Sequence, residues 1–193
     1  MNKKGQYVPI ILIIACSMLV LSVVGFYQHQ QIKDYKVMNE SYTNLKQVMY
    51  IETLEIDISK QLTEIYDNYA LAGNYYDVSD NPTAIYYCEQ TRKDIDSYSQ
   101  ELREIKAEIP EVTSKVMEKR KEMINTEIDY LFALYESCEY TESACRAYDA
   151  GNYPMGDVNI DGQNDAIDRH DKLVEDYFNL QAEYNILKKA LVE

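Results

Sequence analysis

Apolar residues recur every seven positions through four long stretches of the chain. Ile51, Ile58 and Ile65 form the first row, with Val48, Leu62 and Tyr69 beside it. Cys88, Ile95, Leu102 and Ile109 form the second, and Met117, Ile124, Leu131, Cys138 and Cys145 the third. Ala166, Leu173, Leu180 and Leu187 carry the fourth, accompanied four residues on by His170, Tyr177, Tyr184 and Leu191. A period of seven with a second row offset by three or four is the seam of a helical bundle or coiled coil. No segment alternates apolar and polar residues as a half-buried strand would. The pattern predicts an all-α fold.

Turn-forming residues divide the four rows. Gly73 to Pro82, with Asp77, Asp80 and Asn81, predicts one loop, and Gly151 to Gly162, with Pro154 and Gly156, predicts another. Pro110 should end or kink a helix near Ile109, and a turn at Thr113-Ser114 is the alternative. Short connections between four helices imply an antiparallel up-down bundle over 44–193. The second helix is short and returns only to about residue 44 of the first. Residues 28–43 are then a polar helical stalk.

Ahead of the stalk, Val8 to Tyr27 is a run of twenty residues without a charge. At about 1.5 Å per residue it is long enough to cross a hydrocarbon core of ~30 Å. Lys3 and Lys4 precede it, which favours a cytoplasmic N-terminus at 1–7, a transmembrane anchor at 8–27 and an extracytoplasmic location for the rest. Two alternatives compete with this single-pass reading. A cleaved signal peptide needs a polar break after a small-residue site, and none occurs before Gln28. Ile13-Ile14-Ala15-Cys16 resembles a bacterial lipobox, but the sequence after Cys16 stays apolar where a lipoprotein tether is polar.

Charge narrows the choice of partners. From residue 28 onward, 17 basic side chains face 33 acidic ones. A nucleic-acid partner would need a basic face, and so would adhesion to anionic headgroups. Two His and four scattered Cys leave little for a zinc site or a nucleophilic triad. No nucleophile–base constellation stands out, so the expectation is a protein without enzymatic activity.

The stretches IYDNYALAGNYYDVSDNPTAIYYCEQTRKDIDSYSQEL (65–102) and LYESCEYTESACRAYDAGNY (134–153) resemble the extracytoplasmic four-helix-bundle sensor domain of bacterial chemoreceptors and sensor kinases. The resemblance implies ligand sensing at the bundle and signalling through membrane helices. No second apolar run follows the fourth row within these residues; if the 193 residues are the complete chain, a partner is expected to carry the output. A small-molecule ligand, a second copy and a protein partner all fit such a module. A surface structural or assembly protein is the rival reading.

One local pattern is sharper. Asp157, Asn159, Asp161, Gln163, Asp165 and Asp168 fall at positions 1, 3, 5, 7, 9 and 12 of a twelve-residue calcium loop, with Gly162 at position 6. Gln163 would contribute its backbone carbonyl and Asp168 the closing carboxylate. The wording resembles the dockerin calcium loop, but the repeat is single and Asn164 stands where an aliphatic residue pairs two loops. The expectation is one structural calcium ion at the helix-three to helix-four turn, against the alternative of a metal-free, well-capped turn.

Other residues carry weaker signals. Cys138 and Cys145 lie about 10.5 Å apart along one helix and cannot bridge each other. Cys88 should lie level with Leu131, and either three buried thiols or one inter-helix disulfide through Cys88 fits. His170 reads as a core or boundary histidine. Acid pairs such as Glu52/Glu55 and Glu136/Glu139 read as solvated faces. Tyr75, Tyr76, Tyr86, Tyr87, Tyr148 and Tyr153 gather at the distal end, as contact surface or as packing.

Overall fold

In the computed structural model the chain forms four helices and, among the described residues, no strand. They are α1 (Tyr7–Asp77), α2 (Asn81–Ala107), α3 (Lys115–Asp149) and α4 (Tyr153–Lys189). The structure describes the backbone of residues 7–111 and 113–192, and side chains at 22, 24–111 and 113–192. Among the described residues no helix is long and apolar enough to cross a membrane. The apolar run 8–27 lies almost entirely outside the described side chains.

The chain divides into two units at Thr43/Asn44. In the first, every described side chain from Val24 to Glu40 is exposed. The second holds the hydrophobic core. There α3 packs against both α2 and α4, and side chains of α1 hydrogen-bond to all three other helices. The seven-residue rows are the core. Ile51, Ile58 and Ile65 of α1, the α2 row from Cys88 to Ile109 and the α3 row from Met117 to Cys145 are all buried. On α4, Ala166 and Tyr184 are buried, while Leu173, Leu180 and Leu187 are half-buried.

The connections are tighter than the turn residues alone predict. α1 runs through Gly73 to Asp77, and Val78 to Asp80 complete the reversal with Ser79 in the left-handed region at φ 60°. Asp80 caps α2 by accepting from the Thr83 N–H, and Pro82 occupies its first turn. The connection between Ala107 and Lys115 covers both expected positions: α2 ends just before Ile109 and Pro110, and α3 begins after Ser114, which lies in extended backbone. That longer connection shifts the α2–α3 register. Cys88 therefore packs against Cys138 and Ala72, not level with Leu131.

The largest correction concerns residues 151–162. Ala150, Gly151 and Asn152 complete the α3–α4 turn, with Gly151 at φ 73° and Asn152 accepting from the Met155 N–H. Helix α4 starts at Tyr153 and includes Gly156 and Gly162. These two glycines serve close approach rather than backbone freedom. A Cβ on Gly156 would lie 2.2 Å from Tyr148 Cε1, and one on Gly162 would lie 2.6 Å from Tyr140 Cε1. Each tyrosine of α3 occupies the volume that a side chain on α4 would fill.

This packing predicts a sign reversal in a double-mutant cycle. Gly156→Ala is expected to destabilise the protein while Tyr148 is present. In a Tyr148→Ala background the same change is expected to stabilise it by about 1 kcal/mol, the ordinary helix-propensity gain. Urea unfolding of the four variants measures both values.

Candidate functional site

The six residues of the calcium pattern all lie on α4, and the helix does not gather them. Asp157 to Asp168 spans about 16 Å of axis, whereas calcium ligands converge to within about 2.3–2.6 Å of one ion. Asp157, Asp161, Asp165 and Asp168 are exposed and recur at steps of four and three, which places them on one outward face. Asp157 accepts a hydrogen bond from Tyr148 Oη at 2.9 Å. Asn159 is half-buried beside Arg92 and Tyr140, and Gln163 is half-buried. Along a helix the segment does not bring positions 1, 3 and 5 together, whereas the calcium pattern needs loop backbone to converge them. Among the described residues no group of three His, Cys, Asp or Glu side chains is placed to hold a metal.

The three cysteines of the bundle are buried free thiols. The contact with Cys88, followed by burial, pushes the Cys138 thiol far above its ordinary value. Burial pushes Cys145 up to about 11. His170 bonds Tyr66 Oη through Nε2 at 3.0 Å and Asp171 through Nδ1 at 3.0 Å. Its ring meets Tyr66 and Tyr130 edge-on. Both ring nitrogens thus have partners, as for a boundary histidine. Of the distal tyrosines, Tyr75 stacks on Tyr87, which also meets Tyr86, while Tyr148 lies over Gly156.

The most unusual chemistry lies at mid-bundle. Arg120, Glu127, Leu134 and Thr141 recur at seven on α3, three residues on from the Met117 row. This second row faces inward, so it carries a charge into the core. Glu127 is only 6% exposed. Its Oε1 accepts from Tyr98 Oη of α2 at 2.8 Å. Tyr130 and Tyr177, whose rings meet edge-on at 5.8 Å, stand near the carboxylate. Burial raises the Glu127 carboxyl above its ordinary value, and it outweighs the Tyr98 hydrogen bond, the charge of Arg120 and the other two hydroxyls. The surrounding phenols respond in kind: burial first, then the charge of Glu127, pushes Tyr66 up to about 12 and Tyr98 and Tyr130 further.

Beside this cluster lies a cleft of about 380 Å³, lined by residues of all four helices including Glu55, Ser59, Tyr98, Arg120, Glu127 and Tyr177. Arg120 is already engaged. It forms an ion pair with Glu55 of α1 and lies over the Tyr184 ring, its guanidinium carbon 5.2 Å from the centroid. Glu52 at the same cleft is held by Lys188 at 2.7 Å and by Tyr184 Oη at 3.0 Å. Glu52 and Glu55, which read in the sequence as a solvated pair, are therefore half-buried and each carries a cation. Glu127 has no cation in contact among the described residues. The signal that could have found it is an acid standing on an inward row at seven-residue spacing. No family model, curated protein or solved structure matches the chain significantly.

Glu127 should control the pH dependence of stability. Its folded-state value is raised, so the native protein holds a proton that the unfolded chain releases. Stability from this group is then highest in acid and falls as pH rises above about 4.3, the unfolded value. Glu127→Gln keeps an acceptor for Tyr98 without burying a charge, and it is expected to raise stability at neutral pH by about 1–3 kcal/mol. Tyr98→Phe, which strips a donor from the buried carboxylate, is expected to cost about 1–3 kcal/mol. Denaturant unfolding at a series of pH values should show a flatter profile for Glu127→Gln than for wild type.

Proposed function

We propose that the chain is a membrane-anchored, extracytoplasmic, non-catalytic binding module of the sensor type, whose ligand site is the cleft beside Glu127. The cleft carries this reading, because residues of all four helices line it and it encloses a buried carboxyl without a contacting cation. Occupation of such a site alters contacts on every helix at once, which is what a bundle that reports ligand needs. The charge-free run 8–27 behind Lys3 and Lys4 supports the anchor. The acidic surface supports a partner other than nucleic acid.

A second reading, a surface protein that assembles with copies of itself, is favoured by one observation. Tyr35, Met49 and Ile56 lie on α1 at multiples of seven and are exposed. A heptad row on the outside of a helix is the pattern of a coiled-coil seam. Sedimentation of the full chain in detergent separates the two: a concentration-dependent dimer weakened by Met49→Lys favours assembly, and a monomer favours the binding module.

The anchor is tested by mass spectrometry of membrane-extracted protein. The expected species retains residues 1–27. A chain beginning at a lipid-modified Cys16, or one released without 8–27, would contradict the reading.

A further inference from the structure

We propose that the cleft beside Glu127 binds a compact organic ammonium ion, its charged head on the Glu127 carboxylate and its alkyl body against Leu62 and Leu102. The inference rests on the binding-module reading above and names the ligand class of that site. Three carboxylates, Glu52, Glu55 and Glu127, line the cleft against one guanidinium, Arg120. Arg120 is paired with Glu55, and Glu52 is paired with Lys188. The cleft therefore repels anions and leaves one acid, Glu127, to be matched by a cation from outside.

The character of the walls selects the cation. A divalent metal needs several converging oxygens, and here Glu127 is the one carboxylate lining the cleft without a cation in contact among the described residues. Tyrosine rings stand around it instead: Tyr98 and Tyr177 line the cleft, with Tyr130 turned to the same carboxylate. Aromatic faces with a carboxylate are the usual surroundings of an organic ammonium. Leu62 and Leu102 supply an apolar wall, and the volume is at the small end of the range for ligand pockets. Glu52 and Glu55 stand on the α1 wall beside the exposed side chains of Ile56 and Ser59, so the approach to the site is negative.

Binding should be coupled to proton release. The groups facing Glu127 are Tyr66 from α1, Tyr98 from α2, Arg120 and Tyr130 from α3, and Tyr177 from α4, with His170 and Asp171 behind Tyr66. The four phenols are all pushed upward, so none of them ionises near neutrality. The group that changes is Glu127, which must be ionised to hold an ammonium, so affinity should rise with pH.

The test is calorimetric titration of the full chain in detergent, with butylammonium, tetramethylammonium, butyrate and calcium chloride as probes. The expected result is saturable binding of one or both ammonium ions, tightening as pH is raised above about 4.3, the ordinary carboxyl value. Glu127→Gln should weaken it by about tenfold or more. Ser59→Lys, at an exposed position of the cleft, should also weaken it by placing a competing ammonium there, while Ser59→Gln should not. Equal affinity in wild type and in both Glu127→Gln and Ser59→Lys would overturn the proposal. Binding of butyrate or calcium in place of the ammonium ions would overturn the ligand class and leave the cleft as a binding site. Silence with every probe would overturn the ammonium site, and the anchor would still stand or fall by the mass of the extracted chain.

Discussion

The register between α3 and α4 is the constraint on which the rest of the bundle depends. It is set by a three-residue turn and by two glycines that let tyrosines of α3 lie directly on α4. From the turn outward, Tyr148 meets Gly156, Tyr140 meets Gly162, Glu136 meets Arg169 and Arg120 lies against Tyr184. The same register brings Tyr177 to Glu127. Had α4 begun after Gly162, it would have lost about 15 Å of helix on the α3 side. The contacts nearest the turn, Tyr148 on Gly156 and Tyr140 on Gly162, would then have no α4 partner.

Burying Glu127 is costly, and the bundle offsets the cost with hydrogen bonds rather than with a direct ion pair. Phenols from three helices surround it, Tyr98 donating to its Oε1, and the neighbouring Arg120 is committed to Glu55. An arrangement of this kind is satisfied in two ways, by a proton or by an external cation. The cleft beside Glu127 is lined from all four helices.

Most of the architecture was legible in the sequence, because a seven-residue row reports burial directly. Ile51, Leu102, Ile124 and Leu131 were named as seam residues and are core residues. The connection spanning Pro110 and Thr113-Ser114 was visible as two options. The loop at 151–162 was misread for a physical reason: Gly156 and Gly162 carry the same letters whether the backbone turns or a neighbouring ring presses close. Asp and Asn at alternate positions added to the appearance of a calcium loop, though on a helix the four aspartates form one solvated face. The cleft was not legible. Glu127 and Arg120 stand on an inward row, but nothing in one sequence shows that tyrosines from other helices converge there.

Hydrogen exchange over peptides covering 153–168, with and without calcium, tests the α3–α4 register most directly. A helix docked on α3 predicts slow exchange at 157–166 in both conditions, comparable to the middle of α3. Rapid exchange that becomes slow only when calcium is added would contradict it, and would replace the docked helix with a metal-organised loop.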